Sequence, residues 1–160
     1  PYNYSPSVRL YSQFAQQFWQ NQGLNGWGET DRPEEIWQPS WDDAGSRGIL
    51  MSYLRGSTAA QFDTLTAQQQ LDSILQKWEI AFPGANQNLT NQYIFSWTQE
   101  EFSGSAFANP TQSQESAYGA HIGLAEGRIH FAGEHASSYH AWIQGALESG
   151  IRAAREIHTA

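Results

Sequence analysis

Apolar residues in the first hundred positions predict a sheet-rich region. Residues 7–14, the segment "GILMSYL" at 48–54 and the segment "QYIFSW" at 92–97 have the length and apolar content of strands. A shorter strand is predicted around Glu35–Gln38, inside a long stretch of Gly, Pro, Asn and Asp. Because these residues favour turns, the segments between the strands are predicted to be loops.

Residues 64–82 show the spacing of an amphipathic helix. Thr66 and Gln69 stand three apart, as in a capping box at a helix start. Pro83 and Gly84 follow, and this pair ends helices. The face predicted to be apolar consists of Leu71, Ile74, Leu75, Trp78 and Phe82.

The pattern changes near residue 127. Residues 99–127 are rich in Gly and Ser and show no helical stripe, whereas "RIHFAG" at 128–133 predicts a buried strand. A helix is predicted after Trp142. Its predicted face consists of Ile143, Leu147, Ile151 and Ala154, with Ala146, Gly150 and Ala153 as small neighbours. We therefore predict two regions, 1–126 and 127–160, the second being a strand–loop–helix of an α/β layer.

Composition and charge exclude several classes of function. The formal net charge of -8 argues against nucleic acid and anionic membrane as partners. No apolar run has the roughly 18 residues of a membrane span. Cysteine is absent, which excludes disulfides, thiolate metal sites and cysteine nucleophiles.

A candidate ligand site lies between the predicted last strand and last helix. Gly133 would allow a ligand to approach the backbone, and Glu134 could hold a ligand hydroxyl. The helix start near Trp142 presents free N–H groups, which favour an anionic group. The alternative is an ordinary turn with a packed Trp, and the spacing alone leaves both interpretations open.

Other polar clusters in the sequence carry weaker signals. Three histidines stand five residues apart on the predicted strand and loop, a spacing that does not bring three rings together, so no metal site is expected. Ser137 and Ser138 lack the residues of a nucleophile elbow. The histidines are His130, His135 and His140.

The segment "GRIHFAGEHASSYHAWIQGALESGIRAARE" resembles the C-terminal flavin-contacting segment of the FAD-dependent amine oxidases, the group of the L-amino-acid and monoamine oxidases. The shared pattern is F-A-G-E followed by W-I-x-G-A-x-x-S-G-x-R-A-A. The segments "SPSVRLYSQFAQQFW", "GLNGWGETD", "GILMSYLRGSTAAQF" and "GSAFA" extend the resemblance over nearly the whole chain. The implied fold is α+β and α/β, the C-terminal portion of a two-domain amine oxidase. The mixed sheet of the substrate domain would lie in 1–126, with its first strand and loops near the domain boundary. The last strand and helix of the FAD-binding domain would lie in 127–160.

The resemblance implies FAD as cofactor and a role as a subunit or fragment of an L-amino-acid oxidase. A monoamine or polyamine oxidase is the alternative enzyme, and a non-catalytic binding or scaffold module is the alternative of another class. No acid or base side chain of this chain is expected to be catalytic. Gly133 and Glu134 would contact the ribose-pyrophosphate part of FAD. The flavin ring and ribityl chain would be contacted by Ala141, Trp142, Ile143 and Ala146, and the substrate by Ala141, Trp142 and Trp37.

The chain departs from the family pattern at two positions. Ala141 stands where the family usually has Gly. Trp37 or Gln38 stands where the family has a Tyr that binds the substrate carboxylate, which changes the expected carboxylate recognition.

The resemblance also implies partners, because no G-x-G-x-x-G motif is present in these 160 residues. The dinucleotide-binding fold would lie on other chains of one processed precursor, as in L-glutamate oxidases. The chain would be inactive alone, and the assembled protomer would form a dimer. A secreted or extracellular protein is favoured, with a cytoplasmic one as the alternative.

Overall fold

The computed structural model describes residues 2–30 and 34–159, and its contacts divide the chain into two units. The sheet unit comprises residues 6–104, and the C-terminal unit comprises residues 1–5 and 105–160. The predicted boundary after residue 126 therefore does not coincide with the division at 104. The reason is that residues 107 and 108 pair with residues 4 and 5, and that the N–H of Ala108 bonds to Glu134. Assignment of the two units to substrate and FAD-binding domains stays a prediction.

Seven strands form two sheets. β1 and β7 make a two-stranded antiparallel pair, and the other strands form a five-stranded sheet in the order β3-β4-β5-β2-β6. The strands are β1 Tyr4–Ser5, β2 Ser7–Phe14, β3 Gly28–Glu29, β4 Glu34–Trp37, β5 Gly48–Arg55, β6 Leu89–Ser96 and β7 Phe107–Ala108. The predicted strands at 7–14, 35–38, 48–54 and 92–97 are confirmed within a few residues. All pairs among the described strands are antiparallel, so the expected mixed sheet is not found within this part of the chain.

One face of the five-stranded sheet packs against α2, the helix predicted at 64–82. The side chain of Thr66 accepts the N–H of Gln69 at 3.3 Å, and the side chain of Gln69 accepts the N–H of Thr66 at 3.0 Å, which confirms the capping box. Ile74 and Trp78 of α2 are buried in one core cluster with Phe14 of β2, an interior strand of the sheet. The helices of this unit are α1 Gly56–Phe62, α2 Ala67–Ala81 and α3 Ala85–Asn88, with a 3₁₀ helix at Phe18–Gln22.

The other face of the sheet is aromatic and contains an arginine. Side chains alternate between the two faces of a strand, and the register places Arg9 opposite Tyr53 on one side and Phe95 on the other. Tyr11 lies opposite Tyr93. We call this surface the aromatic face and define it as Arg9, Tyr11, Trp37, Tyr53, Tyr93 and Phe95.

The C-terminal unit contains α4 Gln112–Tyr118, a 3₁₀ helix at Glu134–Ala136 and α5 Ile143–Thr159. Residues 99–127, which show no helical stripe in the sequence, nevertheless contain α4. α4 is short and has no buried residue, so it leaves no apolar stripe in the sequence. The prediction of a strand at 128–133 is wrong, since only an isolated bridge joins Glu126 and Ile129. No described strand lies beside 128–133 to supply the hydrogen bonds that a ladder needs.

The predicted helix α5 is confirmed, but the face that it buries is not the predicted one. The side turned toward its own unit carries the small residues Gly145, Ser149 and Ala153. The larger apolar residues remain in solvent in this chain: Ile143 is 78%, Leu147 62% and Ile151 54% exposed. No described helix is long and apolar enough to cross a membrane.

Candidate functional site

Glu134 organises the loop that leads to α5. Its Oε1 accepts the N–H of Ala108 at 2.9 Å and its Oε2 accepts the N–H of Ala141 at 2.7 Å. Hydrogen bonds to an ionised carboxylate are stronger than those between neutral groups. The carboxylate therefore ties β7 to the residue just before Trp142, and each oxygen retains a lone pair for a ligand hydroxyl.

Gly133 is required by the backbone of the loop. Its φ is 147°, a conformation that other residues rarely adopt, and a Cβ at this position would collide with the ring of His135. The N–H of Gly133 donates to Ser149 Oγ at 2.9 Å, and the Ser149 hydroxyl lies 2.8 Å from the Gly133 carbonyl. The structure thus gives a backbone reason for glycine at this position, and the ligand approach expected from the sequence stays a prediction.

Ala141 occupies the left-handed region with φ 65°. A Cβ makes this conformation unfavourable by about 1–2 kcal/mol, which is why glycine is preferred in it. Ala141 is the position at which the related family usually has glycine. The strain lies one residue before Trp142, and residues held in such conformations often lie at functional sites.

The start of α5 has the features that suit a flat anionic ligand. Trp142 is 66% exposed and Ile143 beside it is also exposed, so neither belongs to the core of this chain. Among the described residues, the N–H groups of Ile143 and Gln144 have no hydrogen-bond partner. The start of α5 is also the positive end of the dipole of a 17-residue helix, which favours a negative charge there. The interpretation of Trp142 as a packed core residue of this chain is therefore wrong.

Gly145 allows the loop to cross the first turn of α5. A Cβ on Gly145 would collide with the Tyr139 carbonyl and the Ser137 hydroxyl. Ala146, one of the predicted flavin contacts, lies on the exposed side of the same turn. The sequence analysis assigned no role to Gly145 or Ser149. Their four-residue spacing places two small residues on one face of α5, which could have indicated the face that packs closely.

An open cavity of about 470 Å³ adjoins Ala141 in the C-terminal unit. Glu115 and His140 contribute polar groups to its lining. The Tyr2 hydroxyl donates to Glu115 at 2.8 Å and lies 3.2 Å from His140 Nε2. Burial first, and then the hydrogen bond to Glu115, raises the pKa of Tyr2 above its ordinary value. Since the single Tyr2 proton goes to Glu115, His140 donates to the Tyr2 oxygen through Nε2–H.

Arg152, which the sequence analysis did not assign a role, fixes the segment before the site to α5. Its guanidinium donates to the carbonyls of Gly123 at 2.7 Å and Phe131 at 2.9 Å. It also donates to Glu156 at 2.8 Å. His130 Nδ1 lies 2.9 Å from the other Glu156 oxygen. The hydrogen bonds from His130, and then those from Arg152, lower the pKa of Glu156.

The three histidines do not converge on a metal. His130 pairs with Glu156 and His140 with Tyr2, while His135 packs against Tyr4 at a ring distance of 6.4 Å. Among the described residues, no group of three His, Asp or Glu side chains has the geometry of a metal site.

Trp37 lies in the sheet unit, apart in sequence from the six candidate residues of the C-terminal unit. Its ring lies 6.0 Å from the ring of Tyr53 and 5.8 Å from the Arg9 guanidinium carbon. Gln38, the other residue at the position of the family tyrosine, is buried and accepts a hydrogen bond from Trp19 at 3.1 Å. Of these two residues, Trp37 is therefore the one whose side chain lies on the aromatic face.

Comparisons with known proteins give one family. The family model described as flavin containing amine oxidoreductase matches residues 2–158. YobN of Bacillus subtilis, named as a candidate L-amino-acid oxidase, is 34% identical over 98% of this chain and 34% of its own length. The L-amino-acid oxidase of Siganus canaliculatus is 30% identical over 98% of this chain and 31% of its own length. The L-glutamate oxidase precursor of Streptomyces viridosporus is 33% identical over 78% of this chain and 19% of its own length.

Solved structures show the same fold. Putrescine oxidase matches with a TM-score of 0.85 at 23% identity, over 96% of this chain and 35% of that one. Cyclohexylamine oxidase from Brevibacterium oxydans matches with a TM-score of 0.82 at 21% identity, with the same coverage. The chain spans about a third of the length of the L-amino-acid oxidases that it matches. The predicted fold, a portion of the FAD-dependent amine oxidase fold, and the predicted flavin cofactor, FAD, are confirmed for the family. This chain belongs to the flavin containing amine oxidoreductases.

Proposed function

We propose that this chain is part of an FAD-dependent L-amino-acid oxidase that converts an L-amino acid to a keto acid, ammonia and hydrogen peroxide. The main support is 34% and 30% identity, over 98% of the chain, to proteins named for that activity. The monoamine or polyamine oxidase alternative rests on the fold likeness to putrescine oxidase at 23% identity. The likeness to L-amino-acid oxidases is closer in sequence, and it decides our choice.

The start of α5 supplies the residues that fit FAD. When bound, FAD would accept a hydride from the substrate α-carbon and pass the electrons to oxygen. The unpartnered N–H groups of Ile143 and Gln144 can stabilise negative charge, and they are fixed in place before any ligand arrives. Trp142 offers a flat apolar wall, and Ala146 leaves room one turn further along the helix. Ala141 offers its carbonyl to a substrate amine.

Glu134 and Gly133 maintain the conformation of the loop that precedes α5. The Glu134 carboxylate holds Ala141 in its left-handed conformation and can still accept a ribose hydroxyl through its remaining lone pairs. None of these residues exchanges a proton with the substrate. The contribution of this chain is therefore binding and orientation, with the chemistry left to the cofactor.

The apolar surface of α5 supports a partner. Ile143, Leu147 and Ile151 form an exposed stripe along one helix, which is the kind of surface that proteins cover. We propose that it packs against the dinucleotide-binding part of the same oxidase, supplied by another chain of a processed precursor. The assembly would be a secreted dimer, its interface with this chain above the ordinary size of about 1,600 Å².

The test uses this chain purified with the remainder of its oxidase. Substrate panels of L-amino acids and of amines are compared by hydrogen peroxide release and keto-acid formation. Peroxide with keto acid from L-amino acids is the expected result. Peroxide from amines alone would establish the monoamine or polyamine oxidase alternative, and a colourless assembly without turnover would establish the non-catalytic module.

A further inference from the structure

Tyr2 joins parts of the C-terminal unit that are distant in sequence. Its hydroxyl donates to Glu115 Oε2 of α4 at 2.8 Å and lies 3.2 Å from Nε2 of His140, the residue before Ala141. The rings of Tyr2 and His140 also meet edge to face, with their centres 5.9 Å apart. One hydroxyl therefore links α4 to the loop that leads to α5.

The segment that carries Tyr2 is itself held in place. The Asn3 carbonyl accepts the N–H of Asn109 at 2.9 Å, and the Asn3 side chain accepts a hydrogen bond from Gln114 at 3.2 Å. The two residues after Asn3 form β1, which pairs with β7. Because its own backbone is anchored in this way, Tyr2 can restrain the side chain that it contacts.

His140 depends on that restraint. Within the part of the chain that the structure describes, no backbone hydrogen bond holds the N–H or the carbonyl of His140, and its ring forms its hydrogen bond with Tyr2. The next residue, Ala141, is in the left-handed region, and its carbonyl has no hydrogen-bond partner among the same residues. The direction of that carbonyl therefore depends on two restraints, Glu134 on the Ala141 N–H and Tyr2 on the His140 ring.

We propose that Tyr2 is a positioning residue that acts through His140 on the Ala141 carbonyl and on Trp142, an inference that rests on the proposed function. In that function the carbonyl holds the substrate amine, and Trp142 forms the wall beside it. Tyr2 need not touch substrate or cofactor for this role. Hydride transfer requires the donor carbon to lie within about 3–3.5 Å of its acceptor, so a loop that moves more reduces the rate.

The first measurement is hydrogen exchange in the assembled, FAD-containing oxidase. Y2F keeps the ring and removes the hydroxyl, so both hydrogen bonds are lost with little change in shape. We expect the Ala141 and Trp142 amides to exchange about 3- to 10-fold faster in Y2F, an effect of the size that one neutral hydrogen bond can have. Wild-type exchange at both amides in Y2F would overturn the proposal.

Tyr118→Phe is the matched control for this measurement. Tyr118 is the last residue of α4, in the same unit, and its hydroxyl has no hydrogen-bond partner among the described residues. The control makes the same chemical change without breaking a described hydrogen bond. It should leave the exchange of both amides and the activity unchanged, and equal acceleration in Y2F and Tyr118→Phe would overturn the role of Tyr2.

The second measurement is the rate of flavin reduction per bound FAD, followed by anaerobic stopped flow with an L-amino acid. We expect the limiting rate to fall about 3- to 10-fold in Y2F, while the substrate concentration that gives half of it changes less than about twofold. The reason is that the contact with the amine remains and its orientation is lost. A purely structural role would lower the melting temperature or the FAD content and leave the rate per bound FAD unchanged, and that result would overturn the proposal.

Variants of His140 test whether Tyr2 acts through this residue. H140Q retains an amide N–H that can donate to the Tyr2 oxygen, whereas H140L has no donor. H140L should therefore slow flavin reduction as much as Y2F does, and H140Q should slow it less. The double variant Y2F/H140L should be no slower than H140L, because both changes remove the same hydrogen bond. Additive effects would overturn the proposal, and if Y2F does not fold, equal rates in H140L and H140Q would overturn it.

Failure of this proposal and failure of the proposed function give different results. A wild-type enzyme that oxidises only amines overturns the proposed function, whereas the exchange measurement still decides whether Tyr2 positions Ala141. Wild-type exchange and wild-type flavin reduction in Y2F, in an enzyme that oxidises L-amino acids, overturn the role of Tyr2 and leave the proposed function standing.

Discussion

The carboxylate of Glu134 accepts the backbone N–H of Ala141 at 2.7 Å, and Ala141 is the one described residue other than glycine with a positive φ. The two facts belong together. A charge-assisted bond to the Ala141 N–H stabilises a conformation that the Ala141 Cβ disfavours. This loop conformation brings the chain to the start of α5, where Trp142 is exposed.

Replacing Ala141 with glycine should stabilise the protein. Removal of the Cβ relieves about 1–2 kcal/mol of left-handed strain, and the greater freedom of glycine in the unfolded chain offsets about 0.5–1 kcal/mol of that gain. We therefore expect a net increase of about 0.5–1 kcal/mol in the free energy of unfolding, measured by denaturant titration. Ala154→Gly, the same change at an exposed position inside α5, should instead destabilise by about 1 kcal/mol. A loss of stability in Ala141→Gly would contradict the strain.

Replacing Glu134 with glutamine should loosen the loop and weaken FAD retention. An amide keeps the shape but has only one oxygen, so one of the two backbone N–H groups would face an NH₂ donor. We expect a cost of about 1.5–3 kcal/mol, the value of a hydrogen bond to a charged group. Hydrogen exchange at Ala108 and Ala141 should rise, and the assembled oxidase should lose FAD on dialysis. Glu148→Gln, on the exposed side of α5, is the control, and equal FAD loss in both variants would refute the role.

Local rules were sufficient for the long strands and the long helix of the sheet unit, but they did not predict the short helices α1 and α3. The helix α2 has its start fixed by Thr66 and Gln69 and its buried side by Ile74 and Trp78, and all four signals lie within a few turns of sequence. The strands of the five-stranded sheet find their partners within the same hundred residues. The apolar patterns of these elements could be interpreted from the sequence because the surfaces that bury them belong to the same chain.

The C-terminal unit was predicted less well for a physical reason. Residues 128–133 have the composition of a strand but no described strand beside them, and Ile143, Leu147 and Ile151 have no apolar surface of this unit to cover them. Apolar periodicity shows that a helix face is suited to burial, but it does not show which surface will cover that face. The candidate site at residues 133–146 therefore stays a prediction, and the contacts of Arg9 with Tyr53 and Trp37 depended on strand register that spacing alone did not give.

The pairing of Glu156 with His130 and Arg152 should make stability depend on acid pH. The lowered pKa of Glu156 means that the folded state favours its ionised form. Its contribution is complete above the ordinary pKa of 4.5 and is lost as the pH falls through the lower value of the folded state. The melting temperature of the wild type should exceed that of Glu156→Gln at neutral pH, and the difference should shrink below about pH 4.5. A difference that stays constant from pH 7 to pH 3 would contradict this linkage.

Trp142→Ala should separate function from stability most clearly. Because Trp142 is 66% exposed, its removal should change the free energy of unfolding of this chain by less than about 1 kcal/mol. In the assembled oxidase, loss of the ring would let the substrate tilt, and a misplacement of about 1 Å can reduce the rate about 100-fold. We expect anaerobic stopped-flow reduction of the flavin to slow by at least that factor, with FAD still bound. Trp78→Ala is the opposite control, since Trp78 is only 1% exposed and its loss should cost about 3–5 kcal/mol. Flavin reduction at the wild-type rate in a Trp142→Ala enzyme would refute the placement of Trp142 beside the substrate.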